Sequence, residues 1–127
     1  MEETQKKKSL GERIAEKLHL KPTDSHEMKL NAAPGRLVLK IGRPENPANS
    51  LQRSLTIEGS IYFSGIQYEI RIEDRLGLGE LCAGDQAELF DRSAQIYLHN
   101  DHAAQVYQSL VPFIEMGVEY SLEEEEF

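Results

Sequence analysis

From Arg36 to Ile41 apolar and polar positions alternate, with Leu37, Leu39 and Ile41 on one side and Arg36, Val38 and Lys40 on the other. A period of two is that of a strand with one buried face. The same period runs through "LTIEGSIYFSGIQYEIRIE", interrupted by Ser64 and Gly65. A two-residue turn there, with Gly65 supplying a positive φ, makes a hairpin that pairs Phe63 with Ile66, Tyr62 with Gln67 and Ile61 with Tyr68. In that register Ile61, Phe63, Ile66, Tyr68, Ile70 and Ile72 share one face, and Tyr62, Gln67, Glu69 and Arg71 share the other. The turn and the alternation agree, so this segment anchors the reading of the fold.

Two stretches change the period. "SLGERIAEKLHL" has Leu10, Ile14 and Leu18 at intervals of four, and Ser9 with Glu12 at capping-box spacing, which predicts an amphipathic helix. In "HAAQVYQSLVPFIEM" the residues Ala103, Val106, Tyr107, Leu110, Phe113 and Ile114 make a wide apolar face. Asp101 is placed to cap this helix, Pro112 to kink or restart it, and Gly117 to end it. "RPENPANS" is expected to be a loop because its prolines cannot donate to a ladder. "QAELFD" and "AQIYLH" predict another strand pair, with Leu89, Ile96 and Leu98 in the core. "DRLGLGEL" and "CAGD" are turn material around a short apolar piece.

The expected fold is mainly β (α+β): a small antiparallel barrel, OB-like or SH3-like, flanked by an N-terminal and a C-terminal helix. The boundaries are an N-terminal amphipathic helix within 1–21, a linker over 22–35, one barrel domain with its C-terminal helix over 36–118, and a mobile acidic tail over 119–127.

"GSIYFSGIQYEIRIED" followed by "GELCAGDQAELFDRSAQIYLH", residues 59–99, resembles the small OB-like domain that closes NfeD-family proteins. In that family a hairpin leads through a Gly-Asp turn, here Gly84–Asp85, into a last pair of strands. The resemblance implies an OB-like fold and little about function; the chain lacks that family's membrane spans and adds a C-terminal helix. The stretch "GELCAGDQAELFDRSAQIYLHNDHAAQVYQSLVPFI" is similar in its strand-then-helix order to DNA-end-binding HIRAN domains, and implies no residue roles. The end of the chain, Glu123, Glu124, Glu125, Glu126 and Phe127, is similar to the acidic tip of single-stranded DNA-binding proteins. There the tip recruits partner proteins, the ring entering an apolar pocket while carboxylates meet Lys and Arg. It can also compete with DNA for the basic groove.

Composition adds bounds. With 127 residues and 39% hydrophobic content the chain is one folded domain. Cys82 is the single cysteine, so no internal disulfide forms, and it is expected to be a small buried hydrophobe. No stretch has signal-peptide or membrane-spanning character, and a cytoplasmic protein without membrane partners is expected. The net charge of −8 is unevenly spread: residues 1–73 sum to +2 and residues 74–127 to −10.

Catalytic chemistry is not indicated. "GLGELC" has Cys82 where a dinucleotide fingerprint needs its third glycine. His99 and His102 are three apart, but a strand end and a helix start between them favour a structural junction over a metal site. Glu69, Glu73 and Asp74 read as a solvated face. No enzyme, cofactor or metal is expected. OB-type surfaces bind single strands by stacking bases on aromatic rings in a basic groove. Tyr62 and Tyr97, with Phe90, supply the rings, and Arg36, Lys40 and Arg71, with Arg43 and Arg53, the candidate cations. The expected function is a non-enzymatic binding module, for single-stranded nucleic acid or, as the alternative, a protein-interaction adaptor using its apolar helices as docking surfaces. In either case Glu123, Glu124, Glu125, Glu126 and Phe127 are the candidate partner-binding residues.

Overall fold

The computed structural model describes residues 8–32, 35–44 and 52–125. In chain order these form α1 (Leu10–Lys17), β1 (His26–Ala32), β2 (Gly35–Ile41), β3 (Leu55–Phe63), β4 (Ile66–Asp74), β5 (Gln86–Asp91), β6 (Ile96–Tyr97) and α2 (Asn100–Glu125). All six strands lie in one antiparallel sheet in the order β1-β2-β3-β4-β5-β6, each paired with the next. The fold is mainly β, with α+β character. The sheet is an open meander with β1 and β6 at its edges, not the closed barrel expected from the strand count. Among the described residues no pairing joins β1 to β6.

The hairpin forms in the expected register, Phe63 opposite Ile66 and Ile61 opposite Tyr68, and pairs through to Leu55 opposite Asp74. Ser64 and Gly65 both have positive φ, 52° and 79°, as a type I′ turn requires. The inward side of the sheet carries Leu37, Leu39, Ile41, Leu55, Ile57, Ile61, Tyr68, Ile70, Ile72 and Leu89. Gly59 interrupts that side with φ 149°, and a Cβ there would lie 2.1 Å from the Arg36 carbonyl oxygen. A side chain is therefore excluded where β2 and β3 approach.

Both helices cover the inward side. α2 buries Ala103, Val106, Tyr107, Leu110, Ile114 and Val118, a 3.6-residue stripe, and α1 buries Leu10, Ile14 and Ala15. Ser9 caps α1, its hydroxyl accepting from the Glu12 amide at 3.0 Å. Two surface ion pairs, Arg13 with Glu115 and Lys17 with Glu119, tie α1 to α2.

Several local expectations are corrected. Residues 26–32, expected within a linker, form β1, with Leu30 buried opposite Leu37. α2 does not restart at Pro112 or end at Gly117, but runs on to Glu125, so residues 119–125 are helical rather than a tail. Pro112 is exposed on the solvent side, where a missing amide bond is tolerated. Gly117 lies where α2 crosses β1: a Cβ there would approach Leu30 Cδ1 to 3.2 Å. Asp101 sits inside the first turn, and the Ala103 amide donates to the His99 carbonyl instead. Ile96 is half exposed rather than core, because β6 lies at the sheet's end. Cys82 is exposed in the loop before β5. Glu45–Ser50 of the expected loop lie outside the described residues. No helix among the described residues is long and apolar enough to cross a membrane.

Candidate functional site

The helices leave the other side of the sheet to solvent, and alternation places the candidate residues there. Arg36 and Lys40 project from β2, Tyr62 from the end of β3, Arg71 from β4 and Tyr97 from β6, all exposed. Register sets their neighbours. Arg36, Ser60, Glu69, Phe90 and Tyr97 lie in one row across β2 to β6. Val38, Glu58, Arg71 and Glu88 make the next row, and Lys40, Thr56, Glu73 and Gln86 the one after.

At the β5–β6 end the rings of Phe90 and Tyr97 sit with centroids 5.0 Å apart, tilted by 50°. They line an open depression of about 410 Å³ together with Glu69, Ile70, Arg71, Glu88 and Arg92. Tyr97 is 76% and Tyr62 63% exposed, large apolar areas for a side of a sheet that no layer covers among the described residues.

The charges do not form a basic groove. The Lys40 ammonium lies 2.7 Å from the Glu58 carboxylate, and the Arg71 guanidinium lies 3.6 Å from the same carboxylate. The hydrogen bond to Lys40 holds the Glu58 carboxyl below its usual range, and the reciprocal bond raises the Lys40 ammonium. Across β1 to β5 the cations Lys29, Arg36, Lys40 and Arg71 share the solvent side with Glu27, Glu58, Glu69, Glu73 and Glu88, four against five. The Ser60 hydroxyl further engages Glu69. Arg36, Lys40 and Arg71 are brought to one face with the rings, but within an alternating mosaic.

Two expected surface groups are interior. Arg53, a candidate cation, is 1% exposed. Its Nε donates to Glu12 at 2.8 Å, and its two terminal nitrogens donate to the carbonyls of Asp24 and Lys21, each at 2.8 Å. One buried ion pair thus joins α1, the turn before β1 and the start of β3. Asp74, expected on a solvated face, is fully buried and accepts from the Tyr107 hydroxyl at 2.7 Å and the amides of Gly79 and Leu78 at 2.7 and 3.1 Å. Burial raises its carboxyl above the ordinary range despite those donors, and raises the Tyr107 hydroxyl as well. The signal was available for Asp74, which falls in the inward register after Ile70 and Ile72. Arg53 carried none, because its partner lies 41 residues away.

His102 packs at the sheet's end, its Nε2 3.2 Å from the Tyr68 hydroxyl oxygen. Asp91 beside it accepts from the Ser93 hydroxyl and from the amides of Ser93 and Ala94, closing the β5–β6 turn. The Gly84–Asp85 turn closes similarly: Asp85 accepts from the Cys82 amide at 2.7 Å and the Arg75 amide at 3.0 Å. These carboxylates serve the backbone of turns. Among the described residues no group of three His, Cys, Asp or Glu side chains is placed to hold a metal ion.

Of the acidic end, Glu123 is exposed in the last turn of α2, Glu124 and Glu125 continue the helix, and Glu126 and Phe127 lie outside the described residues. Compared with known proteins, the chain matches no family model, no curated protein and no solved structure.

Proposed function

We propose that the protein is a non-enzymatic protein-interaction module that presents the open side of its sheet to a partner. The observation that carries this reading is the pairing of Lys40 and Arg71 with Glu58, within a surface of five cations, Arg92 beside the rings included, and five carboxylates. A polyanion gains affinity by replacing counterions along a run of uncompensated cations. Here each carboxylate would meet phosphate repulsively, so the mosaic opposes a nucleic-acid backbone. A protein surface, itself of mixed charge, can match an alternating pattern and bury the Phe90, Tyr97 and Tyr62 rings, the residue types that dominate protein interfaces.

A second reading, single-stranded nucleic-acid binding on an OB-like surface, draws on one observation: the same exposed rings, on each of which a stacked base would gain about 1–3 kcal/mol. A two-part experiment separates the readings. A labelled single-stranded oligonucleotide is titrated at low salt, with no saturable binding expected. A photo-crosslinking residue is then placed at Tyr97 and, as control, at exposed Thr23, with discrete protein adducts expected at position 97 only. Saturable oligonucleotide binding lost in Tyr62→Ala and Tyr97→Ala would reject the interaction reading for the nucleic-acid one.

A further inference from the structure

The outward side of α2 keeps three large apolar side chains exposed. It carries Phe113, Met116 and Tyr120 at i, i+3 and i+7, exposed by 41%, 48% and 60%. At 1.5 Å per residue the stripe is about 10 Å long and parallel to the helix axis. Between Met116 and Tyr120 on one wall and Glu119 and Glu123 on the other lies a notch of about 140 Å³.

Charge distinguishes the possible occupants. From Ser93 to the end the chain contains no Lys or Arg, while Asp101, Glu115, Glu119 and Glu123–Glu126 are all acidic. Glu115 and Glu119 lean on Arg13 and Lys17 of α1, and Glu123 stands exposed beyond them. Carboxylates at a helix C-terminus oppose the macrodipole, so folding of α2 does not account for this acidic end. Phosphate polymers and anionic lipid surfaces are repelled. A second copy docking through the same side would set its own Glu row against this one.

We infer that the Phe113–Met116–Tyr120 stripe of α2 is the docking site for a basic amphipathic helix of a partner protein, with Glu123 receiving its cation. This rests on the interaction-module reading and adds a surface and a partner chemistry to it. A helix suits the stripe because its ridges run parallel to the α2 axis and interlock with a row spaced three and four residues apart. A lysine suits the notch: its four-carbon stem lies along Met116 and Tyr120 and its ammonium reaches Glu123. The flexible Met116 side chain lets the surface adapt to different apolar residues.

The test is fluorescence anisotropy with the full-length protein and a labelled 18-residue peptide made only of Leu and Lys, with Leu at i, i+3, i+4 and i+7. The same peptide with Glu for every Lys is the control. Saturable binding of the Lys peptide and none of the Glu peptide is expected. Met116→Ser with Tyr120→Ser, both at exposed positions, should weaken the Lys peptide by about tenfold or more. Glu123→Lys should weaken it several-fold at low salt, a difference that closes at high salt. Equal binding of the two peptides, or an unchanged affinity in the Met116/Tyr120 variant, overturns the inference. So does sedimentation equilibrium showing a dimer that the same variant dissociates, which assigns the stripe to a second copy. Tyr97→Ala should leave peptide affinity unchanged. Loss of binding there, with adducts still forming at position 97, overturns the α2 assignment and leaves the interaction module standing, whereas no binding and no adducts reject both.

Discussion

Replacing Arg53 by Met keeps much of the side chain's volume and removes its charge, leaving the Glu12 carboxylate, itself nearly buried, without a cation. The cost follows from what Arg53 holds. Three of its hydrogen bonds are 2.8 Å long, to Glu12, Asp24 and Lys21. Asp24 and Lys21 are exposed residues, so water can take over their carbonyls at little cost. The Glu12 bond has no such substitute, and breaking a buried pair from one side costs about 3–5 kcal/mol. That is a large share of the roughly 5–15 kcal/mol that stabilises a typical domain. With an m-value of about 2 kcal/mol/M, Arg53→Met should lower the urea midpoint by about 1.5–2.5 M. Adding Glu12→Gln removes the stranded charge, so the double variant should be more stable than Arg53→Met alone. Circular dichroism during urea unfolding of the three variants and the parent gives the complete cycle. A loss below about 0.5 kcal/mol in Arg53→Met, or a double variant no better than the sum of the singles, would refute the placement of this pair in the interior.

Ile70→Ala should cost about 2–5 kcal/mol, since Ile70 is buried, whereas exposed Tyr62→Ala should stay within roughly 0.5 kcal/mol; equal losses would mean the register or the fold is wrong. Because the Asp74 carboxyl is raised in the folded state, that state binds its proton more tightly than the unfolded chain does. Its contribution is therefore full below the unfolded value near pH 4 and is lost as pH rises through the folded value, and Asp74→Asn should flatten urea midpoints over that interval. Tyr107→Phe removes the hydroxyl donor to Asp74 and should lower stability by about 1–3 kcal/mol, with a larger deficit above that interval than below it, where the carboxyl is protonated. Changing Glu123, Glu124, Glu125 and Glu126 together to Gln should raise the urea midpoint at low salt by relieving the opposed dipole, yet weaken the Lys peptide. A lower midpoint would show that the acidic end serves folding.

Local sequence was sufficient where local chemistry decides structure. The Ser64–Gly65 turn, the inward set from Ile61 to Ile72 and the Ser9 cap follow from positive φ, period two and an orphan amide, all within a few residues. The exposure of Tyr62, Tyr97, Arg36, Lys40 and Arg71 was legible for the same reason. Elsewhere distant partners decide. Residues 26–32 contribute only Met28 and Leu30 as large apolar groups, and they are a strand because β2 supplies the ladder and Gly117 of α2 leaves room for Leu30. Pro112 reads as a kink or restart and Gly117 as a helix end in isolation, yet α2 runs through both with one side packed against the sheet. Whether the outer cations form a basic groove depended on Glu58, on a different strand from either, diagonal to Lys40 and directly opposite Arg71 in the register. Arg53 is a surface cation by composition and an interior one in fact, because Glu12, 41 residues earlier, is carried to it by the docking of α1. Charge pairing across strands depends on register and curvature, which no single segment contains.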